Sequence, residues 1–110
     1  RDFTYIENVI LANYLAIMAS NHDALNQVYN VAFGERTTLN QLFEYIRDGL
    51  AKFDSAIAEI APVYGPFRAG DIPHSLASVE KAKVLLGYKP VFSVKAGLEK
   101  ALEWYWNNLQ

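Results

Sequence analysis

Gln27-Val28-Tyr29-Asn30-Val31-Ala32-Phe33, then Gly34-Glu35-Arg36-Thr37, then Thr38-Leu39-Asn40-Gln41, is the stretch on which the expected fold turns. Its first part is rich in β-branched and aromatic residues and is bounded by Asn26 and Gly34, the pattern of a short buried strand. Gly34 opens a turn, and Thr38 with Gln41 has the spacing of a capping box. Leu39, Leu42, Phe43, Ile46 and Leu50 then recur at helical spacing as one apolar stripe. Strand, glycine turn and capped helix form the βα unit of α/β folds, where ligands collect at the strand's C-terminal end. The expectation is a small mixed α/β domain spanning residues 1–110, with about four helices and two or three short strands.

Upstream, Arg1 to Ile6 alternates polar and bulky residues as an extended entry, and Asn8 is placed to cap a helix running to about Ala19. That helix carries Val9, Ile10, Leu11, Tyr14, Leu15, Ile17 and Met18, an apolar face wide enough to predict cover on more than one side. Downstream, Asp54 to Ile60 has helical character and Ala61 to Tyr64 reads as extended. Ser78 is expected to cap a short helix ending at Gly87, with Pro90 preventing its resumption. Ser93 opens the last helix, in which Trp104 and Trp106 cannot both face one core.

Composition narrows the function classes. A chain of 110 residues with 52% hydrophobic and 20% charged residues can build a core and is not expected to be disordered. Its formal charge of −2, without a basic stripe, argues against a nucleic-acid surface. The absence of cysteine removes disulfide and thiolate chemistry and fits a reducing, cytoplasmic setting. His22 and His74 are far apart in sequence, so no histidine-based metal site is expected. No apolar run approaches the roughly 20 residues a membrane span needs. The chain opens on Arg1 and its single methionine is Met18, which predicts a further N-terminal part preceding this sequence.

The candidate binding residues lie in Pro66-Phe67-Arg68-Ala69-Gly70-Asp71-Ile72-Pro73-His74-Ser75. Gly70 permits a bend and Pro73 fixes its own φ, so Arg68 and Asp71 sit on a stiff connector. Guanidinium suits phosphate oxygens and carboxylate accepts from sugar hydroxyls, a pairing that fits a nucleotide. The plain alternative is a surface pair bracing a loop.

These pieces together carry a resemblance. Arg1-Asp2-Phe3-Thr4-Tyr5-Ile6-Glu7-Asn8-Val9, Val28 to Gly34, Arg68-x-Gly70-Asp71, Ala77-Ser78-x-x-Lys81-Ala82 and Leu86-Gly87-Tyr88-x-Pro90 resemble, in order and spacing, segments of the extended short-chain dehydrogenase/reductase enzymes that act on nucleotide sugars. The likeness covers essentially the whole chain and is greatest to bacterial UDP-N-acetylglucosamine 4-epimerases of polysaccharide synthesis, relatives of UDP-galactose 4-epimerase.

The resemblance implies the C-terminal substrate lobe of a Rossmann-type, NAD-dependent epimerase, an isomerase. By it, Arg1 and Arg68 hold the nucleotide diphosphate, Asp71 contacts the ribose, Phe3 lies by the nucleotide, Glu35 lies near uracil or ribose, and Ser75 reaches the sugar. Phe3 stands where tyrosine is usual and so lacks a hydroxyl, Ala32 replaces a turn glycine, and Asn8 replaces an aspartate. The family's glycine-rich dinucleotide turn is absent from these residues. So is its catalytic Tyr-x-x-x-Lys: none of Tyr5, Tyr14, Tyr29, Tyr45, Tyr64, Tyr88 and Tyr105 has a lysine four positions on. No catalytic or cofactor-binding residue is therefore expected here; NAD would belong to an N-terminal lobe, and a UDP-sugar is the expected small-molecule partner. The parent would be a homodimer whose contact lies on that lobe. Alternatives within this reading are the same lobe of a nucleotide-sugar dehydratase or decarboxylase, or a binding and assembly module without turnover.

Overall fold

The computed structural model describes residues 1–109 as four α-helices and two short 3-10 turns, with no β-strand among them. The helices are α1 (Ile6–Ile17), α2 (Leu39–Leu50), α3 (Glu80–Leu86) and α4 (Val94–Asn108). The 3-10 turns span His22–Ala24 and Ser55–Glu59, the second within the stretch expected to be helical.

The mixed α/β domain is therefore overturned, and residues 27–33 show why. A strand is held by the backbone groups of a neighbouring strand, and its side-chain preferences measure fit to a half-buried pleated surface. No ladder of backbone bonds joins this stretch to another among the described residues, and Val28 is 85% exposed. The stretch is instead pinned by single side-chain bonds: Tyr29 Oη donates to Ala24 O (2.6 Å), Tyr88 Oη to Ala32 O (2.8 Å) and Asn30 Nδ2 to Ser78 O (3.4 Å).

Local signals fixed most helix ends. Thr38 and Gln41 form the complete capping box, Ser93 Oγ accepts from the Ala96 amide, and Gly87 ends α3 in the left-handed region at φ +68°. Two caps differ from expectation. α1 begins at Ile6 after Tyr5, and α3 begins at Glu80 after Val79, neither with a side-chain cap. Asn8 sits inside the first turn of α1 with its side chain fully buried; Nδ2 donates to Phe92 O (2.7 Å), and Oδ1 accepts from the Val91 and Phe92 amides (2.9 and 3.1 Å). It ties α1 to the entry of α4 rather than capping its own helix.

Two packed groups result. Ala12 of α1, Ala82 of α3 and Tyr88 form one, flanked by Leu11, Leu15, Tyr29 and Val31. α2 and α4 form the other, meeting so closely that a Cβ on Gly49 would lie 2.5 Å from Leu102 Cδ1. Trp106 stacks on Phe53 (5.3 Å, 15°) while Trp104 is 57% exposed, so the two tryptophans do part company.

The shape is a slab of 54 × 34 × 19 Å with a radius of gyration of 17.1 Å, against about 13 Å for a compact domain of this length. Its 8,196 Å² of accessible surface exceeds by about 2,000 Å² what a folded monomer of this mass exposes. Part of the excess is the face of α1 bearing Ile6, Ile10, Tyr14 and Ile17, four residues within one turn-to-turn stripe and all more than half exposed. The cover expected on several sides of this helix is present on one.

Candidate functional site

The first two residues draw three distant segments together. The Arg1 carbonyl accepts from the Thr37 amide and its amino nitrogen donates to the Thr37 carbonyl, both at 2.8 Å, against a buried Thr37. Arg1 Nη2 donates to Asp71 Oδ1 at 2.7 Å, a pair separated by 70 positions in sequence. The Asp2 carboxylate accepts from the Gly34 amide (3.2 Å to Oδ2, 3.4 Å to Oδ1) and from the Ala77 amide (3.4 Å). Residues 1–2, 34–37 and 71–77 thus form one wall.

Two glycines shape that wall. Gly34 donates its amide to Asp2 and adopts φ +89°, and the turn leaves Glu35 exposed. Gly70 adopts φ +83° in the turn where the Asp71 amide donates to Arg68 O at 3.2 Å. An L-side chain would be strained at either place.

Of the residues singled out from sequence, Arg1 and Asp71 are in direct contact and Arg68 lies on the same turn as Asp71. Glu35 follows the glycine that Asp2 holds, and Ser75 lies two residues before Ala77, whose amide the same carboxylate holds. Every residue from Val63 to Leu76 is exposed, and Arg68 makes no ion pair among the described residues. Phe3 lines a different feature, an apolar cavity of about 150 Å³ shared with Leu42 of α2 and Leu98 and Ala101 of α4. A second cavity of about 120 Å³ lies between Asn40, Phe43, Arg47 and Tyr64. Neither approaches the roughly 300 Å³ at which small-molecule pockets begin. The chain offers an open wall of polar groups.

The Arg1–Asp71 pair has its side chains 45% and 52% exposed, so it contributes little to stability, and its effect is to fix where the guanidinium sits. An anion approaching Arg1 competes with Asp71 for it. Beneath the wall, burial pushes the Tyr88 phenol pKa up and the Asp2 carboxylate adds to the shift. Among the described residues no three His, Cys, Asp or Glu side chains cluster as a metal ion requires.

Sequence reasoning passed over Asp2 and Tyr88 as wall-building residues. Both stand in segments that carried the resemblance, but nothing local announces that Asp2 serves amides 32 and 75 positions away.

No family model matches the chain. Several curated proteins are similar to it. A putative UDP-glucose 4-epimerase of Methanocaldococcus jannaschii is 30% identical over 98% of this chain and 32% of its own length. A UDP-glucose 4-epimerase of Halalkalibacterium halodurans is 30% identical over 96% of this chain and 30% of its own. A CDP-abequose synthase of Salmonella typhimurium is 28% identical over 94% of this chain and 33% of its own. The chain spans about a third of the length of these relatives. The chain is thus similar to part of proteins named as UDP-sugar 4-epimerases and of a CDP-abequose synthase, and no particular sugar is singled out.

Proposed function

We propose that this chain is the nucleotide-sugar-binding portion of a UDP-hexose 4-epimerase, the C-terminal lobe of an enzyme whose reacting groups lie outside these 110 residues. The observation that carries the reading is the convergence of Arg1 on Asp71 at 2.7 Å, with Arg68 on the same turn. In this reading the two guanidiniums take the diphosphate, Asp71 turns to the ribose, Glu35 flanks the nucleoside and Ser75 faces the sugar, while Phe3 stays with the cavity between α2 and α4. Binding energy at this remote end of the ligand positions the reacting ring.

The residues present do not fit NAD. A dinucleotide needs a glycine-rich turn delivering its pyrophosphate to an open helix N-terminus. Here α1 and α3 carry Glu7 and Glu80 in their first turns, and the first turns of α2 and α4 are closed by Thr38 and Ser93. We assign NAD, the hydride chemistry and the family's dimer contact to the rest of the parent polypeptide, and derive no step through the cofactor here.

Among UDP-hexoses the substrate proposed is UDP-N-acetylglucosamine, because Ser75 is small and exposed and leaves room for an acetamido group. The match to a CDP-abequose synthase supports a second reading, the same lobe in another nucleotide-sugar enzyme. Calorimetric titration of the full-length polypeptide decides between them. Arg68→Ala is expected to weaken UDP-N-acetylglucosamine binding at least about tenfold and to leave NAD binding unchanged. Preference for a CDP-sugar over its UDP counterpart would favour the second reading, and unchanged UDP-sugar affinity would refute the role of Arg68.

A further inference from the structure

We propose that Asp2 is a positioning residue that sets the distance between the Glu35 side and the Ser75 side of the ligand wall. The inference rests on the reading of the wall as a nucleotide-sugar site. Its basis is geometric. One oxygen of the Asp2 carboxylate lies 3.2 Å from the Gly34 amide and 3.4 Å from the Ala77 amide, and so bridges two segments with no other bond recorded between residues 34–35 and 75–77.

Each amide lies within two residues of a candidate ligand residue. Gly34 donates its N–H to Asp2 while holding φ +89°, and Glu35 follows it directly. Ala77 stands two residues beyond Ser75, at the end of a run exposed from Val63 to Leu76 that has no secondary structure to stiffen it. Arg1, bonded to Thr37 through its backbone and to Asp71 through its side chain, tethers the same two segments farther along. Arg1 holds their outer ends and Asp2 holds them where the ligand residues project. A carboxylate suits this better than an amide donor, since both partners are N–H groups and acceptors alone are required. Tyr88, whose phenol feels the Asp2 charge, directs its own hydroxyl to Ala32 O, and the Arg1 side chain is turned to Asp71. Asp2 is thereby left to the two amides.

The test compares Asp2→Ala and Asp2→Asn in the full-length polypeptide, titrated with UDP and followed by amide hydrogen exchange. Asp2→Ala is expected to lose at least about tenfold in UDP affinity and to speed exchange at Gly34 and Ala77 together. Asp2→Asn keeps a carbonyl oxygen that accepts from both amides, and is expected to recover affinity to within about threefold of the wild type. Unaltered UDP affinity in Asp2→Ala, or Asp2→Asn as weak as Asp2→Ala while both unfold at the wild-type midpoint, would overturn the positioning role. Failure of the wild type to bind UDP would instead remove the nucleotide-sugar reading and, with it, any ligand for Asp2 to position. Should Asp2→Ala not fold, the Asp2→Asn affinity decides: a loss well beyond threefold counts against the proposal.

Discussion

Asn8→Ala is the perturbation whose effect can be worked most directly from the structure. The Asn8 side chain is fully buried and makes three hydrogen bonds to the backbone at Val91 and Phe92, at 2.7, 2.9 and 3.1 Å. Removing it leaves two N–H groups and one carbonyl without their partner. A buried group stranded in this way costs about 1–3 kcal/mol. Val91 is 69% exposed, so water can reach its amide once the asparagine is gone, and that group recovers most of its loss. Phe92 is half-buried and its amide and carbonyl recover less. The sum is a loss of about 2–4 kcal/mol, concentrated where α1 meets the entry of α4. Urea unfolding should show a midpoint lowered by about 1–2 M at an unchanged slope. Native-state hydrogen exchange supplies the sharper reading: the Val91 and Phe92 amides should lose protection, while the Gln41 amide, held by the Thr38 cap, should lose no more than the global change requires. Val91 and Phe92 amides as protected in Asn8→Ala as in the wild type would refute the clamp.

Three further outcomes follow from the same geometry. Ser75→Tyr in the full-length polypeptide should reduce turnover of UDP-N-acetylglucosamine far more than that of UDP-glucose, and equal losses would show that Ser75 does not face the acetamido group. Gly97→Ala forces a Cβ to within 2.5–2.8 Å of Tyr5 Cβ, Cγ and Cδ2 and should destabilise by about 1–3 kcal/mol through overpacking; thermal unfolding of Gly97→Ala beside Gly65→Ala, whose Cβ meets nothing within 4 Å, gives the comparison. Tyr88 has its pKa raised in the folded chain, so its contribution to stability is complete below the unfolded value near 10 and is lost as pH rises through the higher folded value. Tyr88→Phe should flatten that alkaline fall, measured by urea unfolding between pH 8 and 11, and an identical pH profile in both proteins would exclude the phenol as its source.

What the sequence announced and what it hid divide along the distance of the interactions involved. Thr38 with Gln41, Ser93 and Gly87 act within four residues of themselves, and each helix end they mark is where the pattern puts it. The stretch from Gln27 to Phe33 has strand chemistry, yet a strand exists only with a neighbour, and no local pattern supplies one. Asn8 misled for a related reason. The side chain that suits a helix cap suits any pair of backbone amides equally well, and its partners lie 83 and 84 positions away. In the candidate site, the bend at Gly70 was legible from the glycine itself, whereas the meeting of Arg1 with Asp71 was reachable only through the likeness of several segments at once. Asp2 stood in the same first segment, yet its partners stayed hidden, because a carboxylate that accepts from two main-chain amides leaves no mark on the identity of Gly34 or Ala77.

The slab form of the chain also shapes its response to temperature. Surface already in water on the folded side is not newly hydrated on unfolding, and newly hydrated apolar surface is what gives unfolding its heat capacity. With about 2,000 Å² of the chain hydrated in advance, and somewhat more than half of that apolar, the heat-capacity increment should fall about 0.3 kcal/mol/K below the ~1.5 expected for this length. The stability curve of this chain on its own should be correspondingly shallow, so that cooling weakens it less than it would a rounder protein with the same number of residues.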